Sequence, residues 1–408
     1  MKNIIVFAFS LAVAILGASS CGIDDVISEN EVEAKLASGT ISSTFTIPNR
    51  YDESSKADYV LNNDLYISGA VTIEPGVIIE VGFGYTITIE GENAAFTAIG
   101  GSGNPIIFRG TEAKPGHWMG IKFQDASSSR NVLEYVEIYH GGQADWDLDA
   151  PKSNVLVNFF IQNNRIAFTN CKFAQSGGNG FLVYNNGAHS VTFNNCDFID
   201  NKGKALVAPH NVIHNFSATN SLQNNGINAV EINGQADGPE LLKLNKLSNS
   251  EAYYIISDGL ELSEGFDVAA GITAKFTSNA YIDISGESAY FNAVGTQTEP
   301  IIFTATENVS GFWRGLRIYD CVSAKNNLSY VTTSYAGKPD NSSGVQAGLV
   351  LEFYLSTATA NVNNCTFSNS NGYGIYIDLE TTMNGDNSLV EAANNFSNCQ
   401  MGNVYIAE

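Results

Sequence analysis

An all-β solenoid assembled by internal duplication is the fold class this sequence predicts, and three observations carry the prediction. The first is a segment written twice, PIIFRGTEAKPGHWMGIKF from Pro105 and PIIFTATENVSGFWRGLRI from Pro300. The offset is 300 − 105 = 195 residues. It holds from about Ala57/Ala252 to Gly142/Gly337, so that Gly76/Gly271, Phe96/Phe291, Trp118/Trp313 and Asp125/Asp320 coincide. The second is a run of short alternating strands (VTIE, TITIE, IKF, VTFNN, GIYID) separated by Gly, Asn, Ser or Asp, with no helical period after the first twenty residues. The third is a shorter recurrence: Phe173 and Phe198 are 25 residues apart, Leu222 follows 24 later, and Phe367 aligns with Phe396 as Tyr376 does with Tyr405. A strand–turn–strand unit of roughly 20 to 30 residues predicts a parallel β-helix, each coil giving three short strands and stacking about 4.8 Å above the last.

The chain divides on this pattern into residues 1–20, 21–50, 51–250 and 251–408. Residues 1–20 carry Lys2, an apolar run and a small-residue exit, a secretory signal too short to span a membrane. The ASSC ending resembles the lipobox of bacterial lipoproteins, with Ala18 where Leu is usual, which implies lipidation of Cys21 and an outer-membrane anchor. Asp24 and Asp25 behind it resemble the surface-export signal of Bacteroidetes lipoproteins. An ordinary signal-peptidase cut, with Cys21 incidental, is the competing reading. Residues 21–50 are acidic, Ser-rich and without period, the composition of a flexible tether. Residues 51–250 and 251–408 are the two β-helix units, and FDVAAG from Phe266, in place of VTIEPG, suggests a junction coil between them.

VTIEPGVIIEVG, PIIF, WMGIKF and LEYVEIYHGG together resemble the right-handed parallel β-helix repeats of secreted and surface lipoproteins of the Bacteroidetes type. The resemblance covers about residues 57 to 408 and implies the fold and a right-handed coil. It transfers no catalytic residues.

Duplication sorts the candidate residues, because what both copies keep belongs to the fold while what one copy holds alone is free for function. Trp118 and Trp313 are therefore packing residues, and the Asn-rich bends (Asn163, Asn164, Asn185, Asn186, Asn224, Asn225, Asn363, Asn394) are stacked corner ladders. Asn170, Asn195 and Asn364 share one corner slot, which makes Cys171 and Cys196 vertical neighbours within disulfide range; a bridge or two buried thiols are both open. Outward acids (Glu134, Glu137, Asp197, Asp200, Glu231) are scattered. His210 and His214 lie on a stretch that reads as strand and corner, without a third metal ligand.

The segment that differs most between the copies is QADWDLDAPKSN. Asp145, Trp146, Asp147 and Asp149 form an acidic loop around one ring, a candidate sugar site with the ring against the apolar sugar face and carboxylates on its hydroxyls. Asp145, Asp147 and Asp149 alternate like the opening of a calcium loop but lack the Gly and distal Glu of an EF-hand, so calcium is the one cofactor to consider. A solvated excursion with Trp146 folded back on the solenoid is the alternative.

The formal net charge is −22, from 20 Lys and Arg against 42 Asp and Glu. Such a surface repels phosphate backbones, which excludes nucleic acid, and favours neutral over acidic glycans. The reading that fits best is a monomeric, lipid-anchored module on the cell exterior that binds glycans or mediates adhesion without catalysis. A polysaccharide-degrading lyase or hydrolase and a structural envelope protein are the alternatives.

Overall fold

In a computed structural model, which describes residues 29–51, 53, 55–184, 187–234, 241–339 and 344–408, every paired strand runs parallel to its neighbours. Alternation decides this at each coil: in Ile106–Gly110, Ile106, Phe108 and Gly110 are buried while Ile107 and Arg109 are not. The inward rows merge into one core that runs from Val32 to Val390. Cys21, Asp24 and Asp25 lie outside the described residues, as do Asn185 and Asn186.

One fourteen-stranded sheet runs from Thr40–Ile41 to Asn395–Ser397 without a break, and four shorter sheets complete the walls. Successive strands of the long sheet are separated by two others, as Ala95–Ile99 and Ile106–Gly110 separate Thr86–Glu90 from Gly120–Gln124. The pattern changes around residue 240. The short helix His210–Ile213 takes the place of a strand, and only Leu241–Leu244 is described between Ile227–Ile232 and Tyr253–Ile256. The copies emerge one face out of phase. Ile106–Gly110 belongs to a seven-stranded side sheet, whereas its duplicate Ile301–Ala305 continues the long sheet. Gly120–Gln124 lies in the long sheet, and its duplicate Gly315–Tyr319 lies in a six-stranded side sheet.

Three expectations need correction. Residues 29–47 are part of the solenoid rather than tether: helix Glu29–Ala37 buries Val32 and Leu36, and Thr40–Ile41 and Phe45–Ile47 open the first coil. Val32 and Leu36 are four apart and share one helical face, a period too short to stand out among acidic neighbours. His210 begins a helix rather than a strand, and the phase change falls before Phe266, since Gly265–Val268 pairs regularly with Leu241–Leu244 and Phe291–Val294.

The duplicated positions carry equivalent structural roles. Both tryptophans are fully buried, and each indole Nε1 donates to the carbonyl that ends a strand of the next coil, Trp118 to Tyr139 at 2.7 Å and Trp313 to Ser334 at 2.9 Å. Asn131 and Asn326 are buried and accept the backbone N–H of Phe96 and Phe291, each at 2.8 Å. Asp125 and Asp320 turn the corner with positive φ, and one carboxylate oxygen of each accepts three successive backbone N–H groups, of Phe160, Ile161 and Gln162 or of Tyr354, Leu355 and Ser356, at 2.8 to 3.0 Å. Burial raises the pKa of these carboxyls, but the three N–H donors outweigh it and hold both below the usual range. The corner ladder is present too, with Asn195 Nδ2 donating to Asn170 Oδ1 at 2.6 Å.

Candidate functional site

The acidic loop lies on the outer face of the long sheet. Asp147 and Ala150 close a tight hairpin, and Trp146 folds back with its Nε1 donating to Ser153 Oγ at 3.0 Å. Together with Ala150 the ring covers an outward apolar row, Leu156, Leu182 and Val207, which is thereby almost fully buried. Asp145, Asp147 and Asp149 are exposed, and the first two cap local backbone N–H groups, of Lys152 and Leu148. The three carboxylates form no metal-holding group, and among the described residues no three His, Cys, Asp or Glu side chains do. The loop is thus a lid on the solenoid, the arrangement in which Trp146 packs rather than projects.

Cys171 and Cys196 are vertical neighbours and free thiols. Burial pushes the Cys171 thiol well up. Three outward acids pair with cations of adjacent coils: Glu80 with Arg109 at 2.8 Å, Glu137 with Lys172 at 2.9 Å, and Glu231 with Lys204. Tyr139, buried beside Glu137 and donating to it, has its pKa pushed up to about 12.

The second half presents the same outward row in a different chemistry. Register defines the first row as Thr88, Lys122, Leu156, Leu182 and Val207. Its counterpart is Asp283, Arg317, Val350, Tyr376 and Tyr405. Arg317 binds both Asp283 and, at 3.3 Å, Glu352, while its guanidinium lies 4.9 Å from the Tyr319 ring. Tyr281 sits beside Asp283 with Arg314 over its ring, and burial followed by the charges of Glu261 and Asp283 pushes its pKa up to about 12. Tyr281, Arg314, Arg317, Val345 and Val350 line a small depression of about 30 Å³ open to solvent. Further along, Tyr376 and Tyr405 stack at 5.0 Å with planes 12° apart, and Tyr373 lies 5.1 Å from Tyr405. The loop after Gly337 reads KPDNSSGVQ and supplies no tryptophan to this row; Val350 is buried, Tyr376 half-exposed and Tyr405 exposed. Sequence reasoning aligned Tyr376 with Tyr405 but missed the row, because Asp283, Arg317 and Tyr376 meet only once insertions of unequal length have been folded out.

The family model described as right handed beta helix region matches residues 60–225. The fold is a right-handed parallel β-helix. No curated protein matches the chain. Among solved structures the solenoid is similar to the GH136 lacto-N-biosidase from Eubacterium ramulus, native protein, at 9% identity over 89% of this chain and 68% of that one, with a TM-score of 0.21. A likeness that low says nothing about activity.

Proposed function

We propose that the protein is a non-catalytic glycan-binding module of the cell surface, working through Tyr376 and Tyr405 at the exposed end of the outer row of the second half. The observation that supports this reading is the contrast at equivalent positions: Leu182 and Val207 are buried beneath Trp146, whereas Tyr376 is half-exposed and Tyr405 exposed. Because the tyrosine rings stack on one another, they turn their edges and hydroxyls outward, beside the Asp283, Arg317 and Glu352 cluster. A polyhydroxyl ligand finds donors and acceptors there at each coil, with ring carbons for its apolar patches. Asp283 and Glu352 share one guanidinium, an arrangement for holding hydroxyls rather than for delivering a proton and activating a water from opposite sides.

The test is a glycan array probed with soluble protein beginning after residue 21, repeated with the Tyr376→Ala/Tyr405→Ala double variant. Binding of a neutral glycan that the variant loses supports the reading. An array with no binder would leave the structural envelope role, and cleavage of a bound glycan would establish the enzyme. The attachment proposed with it is a lipid on Cys21, with Asp24 and Asp25 directing surface exposure. Cys21→Ala should move the protein to soluble fractions, and retention in the membrane without acyl labelling would refute the anchor.

A further inference from the structure

The inward column that holds Cys171 and Cys196 exists in both halves, and the copies fill it differently. Register places Ile106, Val136, Cys171, Cys196 and Asn220 one above another in the first half, and Ile301, Val331, Cys365 and Asn394 in the second. The top of each column is the same: Asn220 Oδ1 accepts the backbone N–H of Cys196 and Asn394 Oδ1 that of Cys365, each at 2.9 Å. Below it one copy has two cysteines and the other has one. Cys365 is buried above Val331, and burial pushes its thiol up to about 11, the state of an inert core residue. The fold is therefore content with a single cysteine in this column, and the pair belongs to the first half alone.

The two cysteines leave their corners in the same direction. Asn170 and Asn195, the residues before them, share a left-handed backbone with φ of 53° and 54°. Each thiol rests on the carbonyl two residues back, Cys171 on Thr169 at 3.4 Å and Cys196 on Asn194 at 3.6 Å. The Asp197 N–H donates to the Cys171 carbonyl at 2.8 Å, so the two coils are hydrogen-bonded at this very position. In-register neighbours on parallel strands stand about 4.8 Å apart, and a disulfide spans Cα separations of about 4.4 to 6.8 Å. Closing the bond asks for side-chain rotation and no shift of backbone. The position is also one where a fastening has an effect. Ser190–Asn194, which leads into Cys196, is the last strand of its six-stranded sheet, and in the coil above it the helix His210–Ile213 takes the place of a strand. That wall is paired on one side only.

We infer that Cys171 and Cys196 are an oxidation site, closing into a disulfide that fastens these two coils together as the chain folds under oxidising conditions. That the pair can close follows from the register; that it closes in the cell rests on the export proposed above. Both residues are at most 2% exposed, so the exchange takes place before the coils have stacked. One cysteine thiolate attacks the disulfide of a thiol–disulfide exchange partner, expelling one partner thiolate and leaving a mixed disulfide. The other cysteine thiolate attacks the protein sulfur of that mixed disulfide and expels the second partner thiolate. Two protein sulfurs are oxidised, two partner sulfurs are reduced, and the two cysteine protons end on the released thiols.

Trypsin separates the two positions, since Cys171 falls in the peptide 166–172 and Cys196 in 173–202. The full chain, produced in a bacterium with its first twenty residues, is alkylated in denaturant without reductant, digested and analysed by mass spectrometry. The two peptides should emerge joined, with Cys365 alkylated. A second sample, soluble protein beginning after residue 21 and refolded in a glutathione redox buffer, removes the dependence on export and should give the same joined peptide. Refolding in reductant instead should lower the melting temperature by about 5 °C, a difference that Cys196→Ala abolishes and Cys365→Ala leaves in place; Cys171→Ala serves should Cys196→Ala fail to fold. A joined peptide in either sample supports the site, and one in the refolded sample alone places the fault with export. Alkylated Cys171 and Cys196 in both samples, or a peptide joining either of them to Cys321, Cys365 or Cys399, would overturn it.

Discussion

The row Leu156, Leu182, Val207 and the row Val350, Tyr376, Tyr405 occupy the same place on duplicated strands, yet the first is buried throughout beneath its own loop while the second ends in two solvent-facing tyrosines. Inward residues of the two halves have hardly moved: Phe96 and Phe291, Asn131 and Asn326, and the two tryptophans keep their burial and their bonds. Divergence has gone outward. In a stacked solenoid the inner rows are fixed by packing against coils above and below, so a change there is felt at once. An outward row meets only its vertical neighbours and can change as a set.

The strongest test of the shared interior is to truncate both tryptophans. Trp118→Ala and Trp313→Ala should each cost about 3–5 kcal/mol in denaturant unfolding, by similar amounts. A tolerant Trp313 would mean that the halves are packed differently. Trp146→Ala comes next, at about 1–3 kcal/mol for a half-buried ring. It should also raise binding of a hydrophobic dye as Leu156, Leu182 and Val207 are uncovered. Tyr376→Ala should cost less than about 1 kcal/mol while lowering glycan affinity. If Trp146→Ala left stability untouched and removed glycan binding instead, the two rows would have exchanged roles, the first binding and the second serving as scaffold.

The last comparison concerns the corner carboxylates. Because Asp125 and Asp320 are held below their usual range when folded, they contribute stability that is present at neutral pH and lost as pH falls through their depressed values. Asp125→Asn and Asp320→Asn should each flatten the acid limb of the stability curve by the same modest amount, read from denaturant midpoints at descending pH. Replacement by Ala should cost about 1 kcal/mol, as for the loss of a helix-capping side chain. Unequal effects would show that the equivalence of the two corners is geometric only.

The stacking was legible wherever identical residues recur. Phe173 over Phe198 over Leu222, and Phe367 over Phe396, are the pairs that the structure registers. The buried role of both tryptophans was also plain from their duplication. The opening helix was not, since Val32 and Leu36 supply only two apolar positions. Nor was the direction of Trp146, because a loop beside an apolar row can fold over it or away from it, and that row is assembled from strands more than twenty residues apart. The phase change near residue 240 escaped as well: a self-alignment at constant offset records which residues correspond and carries no information about the angle between them.

That angle has a consequence for recognition. A tandem copy in phase would point both versions of any surface the same way and so grip a flat target twice, with the gain that two tethered sites give. Here one strand fewer is described between Ile227–Ile232 and Tyr253–Ile256, the second copy is turned by one wall of the solenoid, and the two versions of each surface look in different directions. Neither can help the other hold a common plane, so selection had no double grip to preserve. One version closes over itself as scaffold, and the other is free to change without loss to the first.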